Sequence, residues 1–213
     1  MSVPERVPGA VTIDTPHGPA RAHLHPAQAP VGGLVLGHGA GGGVGARDIV
    51  AVTGAAREAG ISVALVEQPY RVAGRRSPAP AHQLDAAWTA VLENLRAGPL
   101  TGLRVVTGGR SSGARVACRT AAATGASGVL CLAFPLVPPQ RRTATAPPPS
   151  RLGELEAVEV PVLVVQGIGD PFGMPPEAPE RTVVQVRGNH SLAAERPRLA
   201  AAARDWLVAL LSP

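Results

Sequence analysis

Short apolar runs alternate with longer amphipathic segments along most of this chain. Short apolar runs bounded by Gly, Pro or polar residues are typical of buried strands. Apolar positions that recur three and four residues apart are typical of amphipathic helices. The pattern therefore predicts strands at 32–36, 61–66, 103–107, 128–133, 160–166 and 182–186, and helices at 46–60, 83–96, 112–124 and 191–211.

Strands and helices follow one another at the spacing of βαβ units. This order predicts the α/β class, with a mostly parallel central sheet, helices on both faces and a single domain over residues 1–213. In residues 11–25, apolar and polar positions alternate on either side of a turn at 16–19, which predicts a hairpin within an N-terminal region of residues 1–30. Functional groups of such a sheet are expected on loops at the carboxyl ends of its strands.

Composition supports a globular chain and argues against nucleic-acid binding. With 45% hydrophobic residues the chain can bury a sizeable core, which excludes intrinsic disorder. The net charge of +5 comes from basic residues that are all Arg and are scattered, while aromatic residues make up only 2%. Because nucleic-acid binders cluster their charge on one face and add aromatic residues for stacking, we expect no specific nucleic-acid partner.

Cysteine usage and the start of the chain bear on location. Cys118 and Cys131 lie in apolar surroundings without metal-ligand spacing, which favours two buried thiols in a reducing compartment over a disulfide. Residues 1–10 contain Glu5 and Arg6 and lack the apolar core of a signal peptide. No run reaches the ~18 apolar residues that span a bilayer. These features predict a cytoplasmic protein with no membrane partner.

One strand-to-helix junction carries a chemical motif. Residues 109–113, Gly-Arg-Ser-Ser-Gly, match G-x-S-x-G between a predicted strand and a predicted helix. In this motif the serine lies on a sharp, strained turn, so the positions two before and two after it need to be small. The turn exposes the hydroxyl near the positive end of the helix. Ser111 is therefore the candidate nucleophile, and the alternative is an ordinary turn with a capping serine.

A nucleophilic serine needs a base and an acid that orients the base, which follow it in the order Ser, acid, His in this class of sheet. Asp170 comes shortly after the strand at 160–166, and His190 comes shortly after the strand at 182–186. Each also has a simpler explanation: Asp170 could be a turn residue before proline, and His190 could be a residue at the start of a helix. Their order and positions together favour Ser111, Asp170 and His190 as a catalytic triad.

The glycine-rich segment 37–43 follows the strand at 32–36. A phosphate-binding loop is the alternative, but the chain has no Lys and no clean G-x-G-x-x-G with a ribose-binding acid. A turn at this place fits one half of an oxyanion hole, with the backbone N–H of Ala40 joining that of Ser112. We expect His38 to be a structural residue of this turn rather than a base.

These segments together resemble a known family. The chain is similar to small α/β-hydrolases of the dienelactone-hydrolase-like branch, in the group of testis-expressed and NSL-complex-subunit hydrolase-like proteins that has bacterial members. The resemblance implies the α/β-hydrolase fold and the triad Ser111, Asp170 and His190. Dienelactone hydrolase itself uses a Cys nucleophile, so its substrate is not implied, and some members of the group are scaffold subunits. The resemblance extends over roughly residues 31–213, and the matching segments are 37–42, 68–71 with 74–76, 108–115, 134–136, 166–167 with 170–173, and 188–191.

Many esterases and lipases of this fold insert a helical cap after the sixth strand. Here that position holds only a Pro-rich loop at 135–155, so we expect no cap domain and a shallow, open pocket. Arg75 and Arg76, in the loop after the strand at 61–66, are candidate substrate-binding residues for an anionic substrate. The alternative is a solvated surface pair.

The sequence thus predicts a serine hydrolase that cleaves a small ester, thioester or amide through an acyl-enzyme on Ser111. We expect a small-molecule acyl substrate, no cofactor or metal, and a monomer or homodimer. The alternative is a non-catalytic interaction module on the same fold, in which the three side chains of the triad would lie out of reach of one another.

Overall fold

The computed structural model describes residues 9–138 and 148–212. Within these residues eight strands form one sheet in the order β1-β2-β4-β3-β5-β6-β7-β8. The strands are β1 Ala10–Ile13, β2 Ala20–His25, β3 Gly32–Gly37, β4 Ile61–Glu67, β5 Val105–Arg110, β6 Gly128–Leu132, β7 Val162–Gly167 and β8 Arg181–Val186.

The sheet is mostly parallel, as predicted. Every neighbouring pair from β4 through β3, β5, β6 and β7 to β8 is parallel. The hairpin of β1 and β2 is also confirmed, and it extends the sheet because β2 pairs antiparallel with β4. Strand β3 lies between β4 and β5, so the chain reverses its direction of progress across the sheet there. Such a reversal opens a crevice at the carboxyl ends of β3 and β5, where ligands bind in α/β sheets.

Helices cover both faces of the sheet, which confirms the second part of the prediction. On β3, Leu34 and Leu36 belong to a buried cluster with residues of the first and last long helices, whereas Val35 belongs to a cluster on the opposite face. This period of two is the signature of a strand buried on both sides. The helices are α1 Arg47–Glu58, α2 Pro69–Val72, α3 Ala81–Ala97, α4 Ser112–Thr120, α5 Leu152–Glu156 and α6 Arg196–Leu211.

All four predicted helices are present, and two of their boundaries differ from the predictions by more than two residues. The helix predicted at 191–211 begins only at Arg196, because Leu192 has a φ of 51° and Pro197 lies in the first turn. Proline is favoured in the first turn of a helix, because the N–H that it lacks would have no acceptor within the helix there. The helix predicted at 112–124 ends at Thr120 and continues as a turn to Gly125, whose φ is 58°.

Two short helices were not predicted. Helices α2 and α5 contain only four and five residues, too few to show a 3.6-residue period. Helix α5 overlaps the end of the segment 135–155 that was expected to be a Pro-rich loop, so that expectation is wrong for residues 152–155. Residues 139–147 of the same segment lie outside the described part of the chain.

Candidate active site

The junction of β5 and α4 is a sharp turn centred on Ser111. Ser111 has φ 52° and ψ −110°, outside the regions that an L-residue normally occupies. Such strain costs of order 1–3 kcal/mol and persists only where the surroundings enforce it. Here the Ser111 N–H donates to the Leu132 carbonyl on β6 at 2.9 Å, which holds the turn against the neighbouring strand.

Close backbone packing explains the two glycines of the motif. A Cβ added at Gly109 or at Gly113 would lie 2.6 Å from the carbonyl oxygen of Gly37 at the end of β3. Carbon atoms do not approach an oxygen this closely without displacing it, so neither position accepts a side chain. The end of β3, the turn at Ser111 and the first turn of α4 are thus packed backbone against backbone.

Ser111, His190 and Asp170 are joined by hydrogen bonds although they lie far apart in the sequence. The distance from His190 Nε2 to Ser111 Oγ is 3.0 Å, and that from His190 Nδ1 to Asp170 Oδ2 is 2.8 Å. The Asp170 side chain is fully buried, whereas that of His190 remains 19% exposed. The arrangement places an imidazole between a buried carboxylate and a hydroxyl, within the distances required for proton transfer.

Neighbouring groups hold Asp170 and His190 in place. The backbone N–H of Phe172 donates to Asp170 Oδ1 at 2.9 Å, and the buried side chain of Gln166 donates from Nε2 to Asp170 Oδ2 at 2.8 Å. The Phe172 ring packs on the His190 imidazole with its centroid 4.4 Å away. These contacts restrict the carboxylate to one orientation and cover one side of the imidazole.

The turn after β3 lies beside Ser111. A Cβ at Gly39 would lie 3.6 Å from the Cβ of Ser111, so the segment that contains Ala40 borders the candidate nucleophile. Within the described residues, neither the Ala40 N–H nor the Ser112 N–H donates a hydrogen bond to a protein acceptor. Both donors therefore remain available to a bound group.

His38 is a structural residue of this turn. Its Nδ1–H donates to the Gly39 carbonyl at 2.8 Å, and its Nε2 accepts the Gln68 N–H at 3.1 Å. This pattern requires the neutral imidazole, because a protonated ring has no acceptor. Burial lowers the pKa of His38, in agreement with that state. The Gly39 carbonyl belongs to the same peptide unit as the Ala40 N–H, so His38 fixes the orientation of that unit.

Arg75 and Arg76 lie apart from these groups. In the described part of the chain, no hydrogen bond or ion pair joins either arginine to Ser111, Asp170 or His190. The two line an open surface groove together with Gln83 and residues 77–80. Arg75 also borders a small cavity beside α2, with Gln68 and Tyr70.

Two side chains that contact the site were not predicted from the sequence. Arg110 donates to the His190 carbonyl, and Gln166 donates to Asp170. Arg110 occupies the variable position of G-x-S-x-G, and Gln166 is the polar residue near the end of an otherwise apolar strand. A polar residue in a run that predicts burial was the available signal for Gln166, because buried polar groups need partners.

Neither a metal cluster nor a membrane span occurs in residues 9–138 and 148–212. No group of three or more His, Cys, Asp or Glu side chains there has an arrangement that could hold a metal ion. None of the helices in these ranges is long and apolar enough to cross a bilayer.

Comparison with known proteins identifies the family. Residues 31–198 match the alpha/beta hydrolase domain, and the chain belongs to that family. The match covers the sheet from β3 to β8 and all three residues of the hydrogen-bonded group. No curated protein matches the chain.

Solved structures with the same fold include serine hydrolases and esterases. XC6422 from Xanthomonas campestris, described as a serine hydrolase without a lid, is 20% identical with a TM-score of 0.77, and the match covers 100% of this chain and 99% of that one. Est1E from Butyrivibrio proteoclasticus is 16% identical with a TM-score of 0.76, over 96% and 100% of the two chains. Dienelactone hydrolase from Anabaena variabilis is 16% identical with a TM-score of 0.74, over 96% and 98%.

The packing at Gly113 yields a stability prediction with a matched control. We expect Gly113→Ala to destabilise the protein by about 1–3 kcal/mol, because the new methyl group meets the backbone of β3. Gly54→Ala, at an exposed position of α1 with open space around it, should stabilise by about 0.5–1 kcal/mol. Urea unfolding of both variants measures the two effects. Equal stability of Gly113→Ala and the wild type would contradict the close approach.

The buried His38 predicts a dependence of stability on pH. Because burial lowers its pKa, the unfolded chain takes up a proton more readily than the folded protein. The stabilisation is therefore present above the unfolded pKa of about 6.5 and is lost as the pH falls through the lower folded pKa. The free energy of unfolding should fall less between about pH 7.5 and pH 5 in His38→Asn than in the wild type. His82→Gln, an exposed residue of α3, serves as the control and should keep the wild-type dependence.

Proposed function

We propose that this protein is a serine hydrolase that cleaves a small carboxylic ester, thioester or amide. The observation that carries the proposal is the continuous hydrogen-bonded path from Asp170 through His190 to Ser111. Membership of the alpha/beta hydrolase family supports it. The strained backbone at Ser111 also supports it, because strain of this kind is retained where it aims a functional side chain.

In the proposed reaction Ser111 Oγ forms a bond to the acyl carbon of the substrate while its proton passes to His190 Nε2. Asp170 accepts the Nδ1–H of His190 and stabilises the imidazolium. The bond between the acyl carbon and the leaving group then breaks, and His190 returns the proton to the leaving group. A water molecule then attacks the acyl-enzyme while its proton passes to His190 Nε2. The bond between the acyl carbon and Ser111 Oγ breaks, His190 returns the proton to Ser111 Oγ, and the carboxylic acid is released.

We assign the oxyanion of the tetrahedral intermediate to the backbone N–H groups of Ala40 and Ser112. Both lie next to Ser111 in the chain or in space, and the described residues provide no acceptor for either. The Ala40 donor is supported on both sides, since His38 donates to the Gly39 carbonyl and Tyr70 donates to the Ala40 carbonyl at 3.0 Å. Preorganised donors of this kind contribute about 10²–10³ each to the rate.

The proposed substrate carries a negative charge, and Arg75 and Arg76 attract it. Neither arginine has a carboxylate partner among the described residues. Their loop is tied to the proposed oxyanion segment, because the Arg75 N–H donates to the Tyr70 carbonyl at 2.8 Å and Tyr70 contacts Ala40. We therefore propose that the two arginines attract the charged end of the substrate and do not contact the acyl carbon.

Two further parts of the proposal concern kinship and location. We place the chain in the dienelactone-hydrolase-like branch that includes the testis-expressed and NSL-complex-subunit hydrolase-like proteins, on the motifs that it shares with them. We also propose a cytoplasmic location. Cys118 and Cys131 support it, since their Sγ atoms lie only 3.6 Å apart as free thiols, a state that reducing compartments maintain.

The nucleophile is tested by covalent labelling and steady-state kinetics. A fluorophosphonate should modify the wild type on Ser111, and p-nitrophenyl acetate should give a burst of nitrophenol. Ser111→Ala should abolish the labelling and lower kcat by about 10⁴-fold or more. Ser127→Ala is the matched control and should label like the wild type. Ser127 lies just before the amino end of β6, whereas Ser111 follows the carboxyl end of the parallel strand β5. Folded wild-type protein that neither labels nor turns over the ester would favour a non-catalytic interaction module.

The anionic substrate is tested by removing the two charges. Arg75→Gln/Arg76→Gln should raise KM for a p-nitrophenyl ester that carries a second, ionised carboxylate by about 5-fold, since each of these exposed charges contributes about 0.5 kcal/mol. KM for neutral p-nitrophenyl acetate should stay constant. Arg198→Gln/Arg204→Gln on α6 removes the same net charge elsewhere and should leave both values unchanged. An equal KM for the charged ester in both double variants would contradict this assignment.

A further inference from the structure

The residue before the candidate nucleophile carries a buried ion pair. Arg110 donates from Nε to Asp48 Oδ2 at 2.8 Å. The Arg110 side chain is 19% exposed and that of Asp48 only 2%. Asp48 lies in the first turn of α1, and its other oxygen accepts the Ile49 N–H at 3.0 Å. The orientation of the carboxylate is therefore set by the helix, and the carboxylate in turn sets the orientation of the guanidinium.

The same guanidinium reaches the backbone of His190. Arg110 Nη2 donates to the His190 carbonyl at 2.8 Å. Within residues 9–138 and 148–212 this is the one hydrogen bond made to the backbone of His190. His190 lies between Gly188, with a φ of 110°, and Leu192, with a φ of 51°, in a segment without regular structure. The ladder of β8, which ends at Val186, does not extend to it.

A third contact joins Arg110 to the turn after β3. A Cβ at Gly39 would lie 3.1 Å from Arg110 Nη1, so the guanidinium lies directly against this glycine. One planar group thus contacts the start of α1, the His190 carbonyl and the segment that contains the proposed oxyanion donor Ala40. A guanidinium suits this place because its donors point in several fixed directions, whereas the ammonium of lysine is a compact charge on a flexible chain.

We propose that Arg110, held by Asp48, is a positioning residue that fixes the backbone of His190 relative to Ser111. This inference rests on the proposed hydrolase function, because it explains how His190, the base of that reaction, is held within hydrogen-bond distance of Ser111. Arg110 touches no reacting atom. Its effect is carried through the His190 carbonyl, and a shift of about 1 Å at a catalytic group costs on the order of 10²-fold in rate.

The decisive variant replaces both members of the pair, Arg110→Met/Asp48→Leu. Removing Arg110 alone would leave the Asp48 charge buried and unpaired, whereas replacing both by apolar residues removes that cost. We expect the double variant to fold and to lose about 10²-fold in kcat, with KM within about two-fold of the wild type. The rate of fluorophosphonate labelling at Ser111 should fall in parallel with kcat.

An ion pair between α3 and α4 provides the control. Arg119 on α4 donates to Asp85 on α3 at 2.6–2.8 Å, and also to Glu154 at 3.3 Å, and its side chain is 19% exposed like that of Arg110. Arg119 makes no hydrogen bond to His190 in the described residues. Arg119→Met/Asp85→Leu should therefore keep the wild-type kcat. A second variant, Arg110→Lys, retains the charge next to Asp48 without the planar fork and should fold yet show the loss in kcat.

A readout independent of turnover separates this inference from the proposed function. The His190 Nδ1–H that is hydrogen-bonded to Asp170 should give a far-downfield proton resonance in the wild type and in the control. It should be broadened or absent in Arg110→Met/Asp48→Leu. If the wild type proves inactive but this difference is seen, the hydrolase proposal fails and the positioning role stands. If the folded double variant keeps both the resonance and the wild-type kcat, the positioning role is wrong. If the double variant does not fold, an undiminished kcat in Arg110→Lys would likewise overturn it.

Discussion

The close approach of three backbone segments at the carboxyl end of β3 is the constraint on which the site depends. The Gly37 carbonyl leaves no room for a side chain at Gly109 or Gly113, and Ser111 between them is forced to a φ of 52°. Because the segments touch, the turn at Ser111 lies beside the turn that contains Ala40. The same contact lies at the reversal of strand order, so topology and packing define the crevice at one place.

Asp170 and His190 are brought to the site by a second close approach, between the ends of β7 and β8. A Cβ at Gly167 would lie 2.5 Å from the Asn189 carbonyl, and the Gly169 N–H donates to the Gly188 carbonyl at 2.8 Å. The two loops are therefore joined backbone to backbone before their side chains meet. Arg110, held by Asp48, connects the two sets of contacts, because it ends β5 beside Ser111 and donates to the His190 carbonyl. This hydrogen bond joins segments that are 80 residues apart in the chain.

Most of the strands and the turn at Ser111 could be predicted from the sequence, because buried strands and a serine turn between strand and helix have local signatures. Asp170 and His190 could be predicted because each follows a predicted strand and they come after Ser111 in the expected order. The roles of Arg110 and Gln166 could not be predicted in this way, since they depend on partners that only the folded sheet brings close. The start of α6 was misplaced because Leu192 is an apolar residue in a left-handed turn, a conformation that hydrophobic periodicity does not reveal.

The proposed hydrolase requires that Ser111 is a nucleophile and that two backbone donors hold its tetrahedral adduct. A crystal structure of the protein after reaction with a small phosphonate tests this requirement most directly. We expect phosphorus bonded to Ser111 Oγ and the phosphoryl oxygen within hydrogen-bond distance of both Ala40 N and Ser112 N. A phosphonate bound elsewhere, or an adduct on Ser111 whose phosphoryl oxygen points away from both donors, would contradict it.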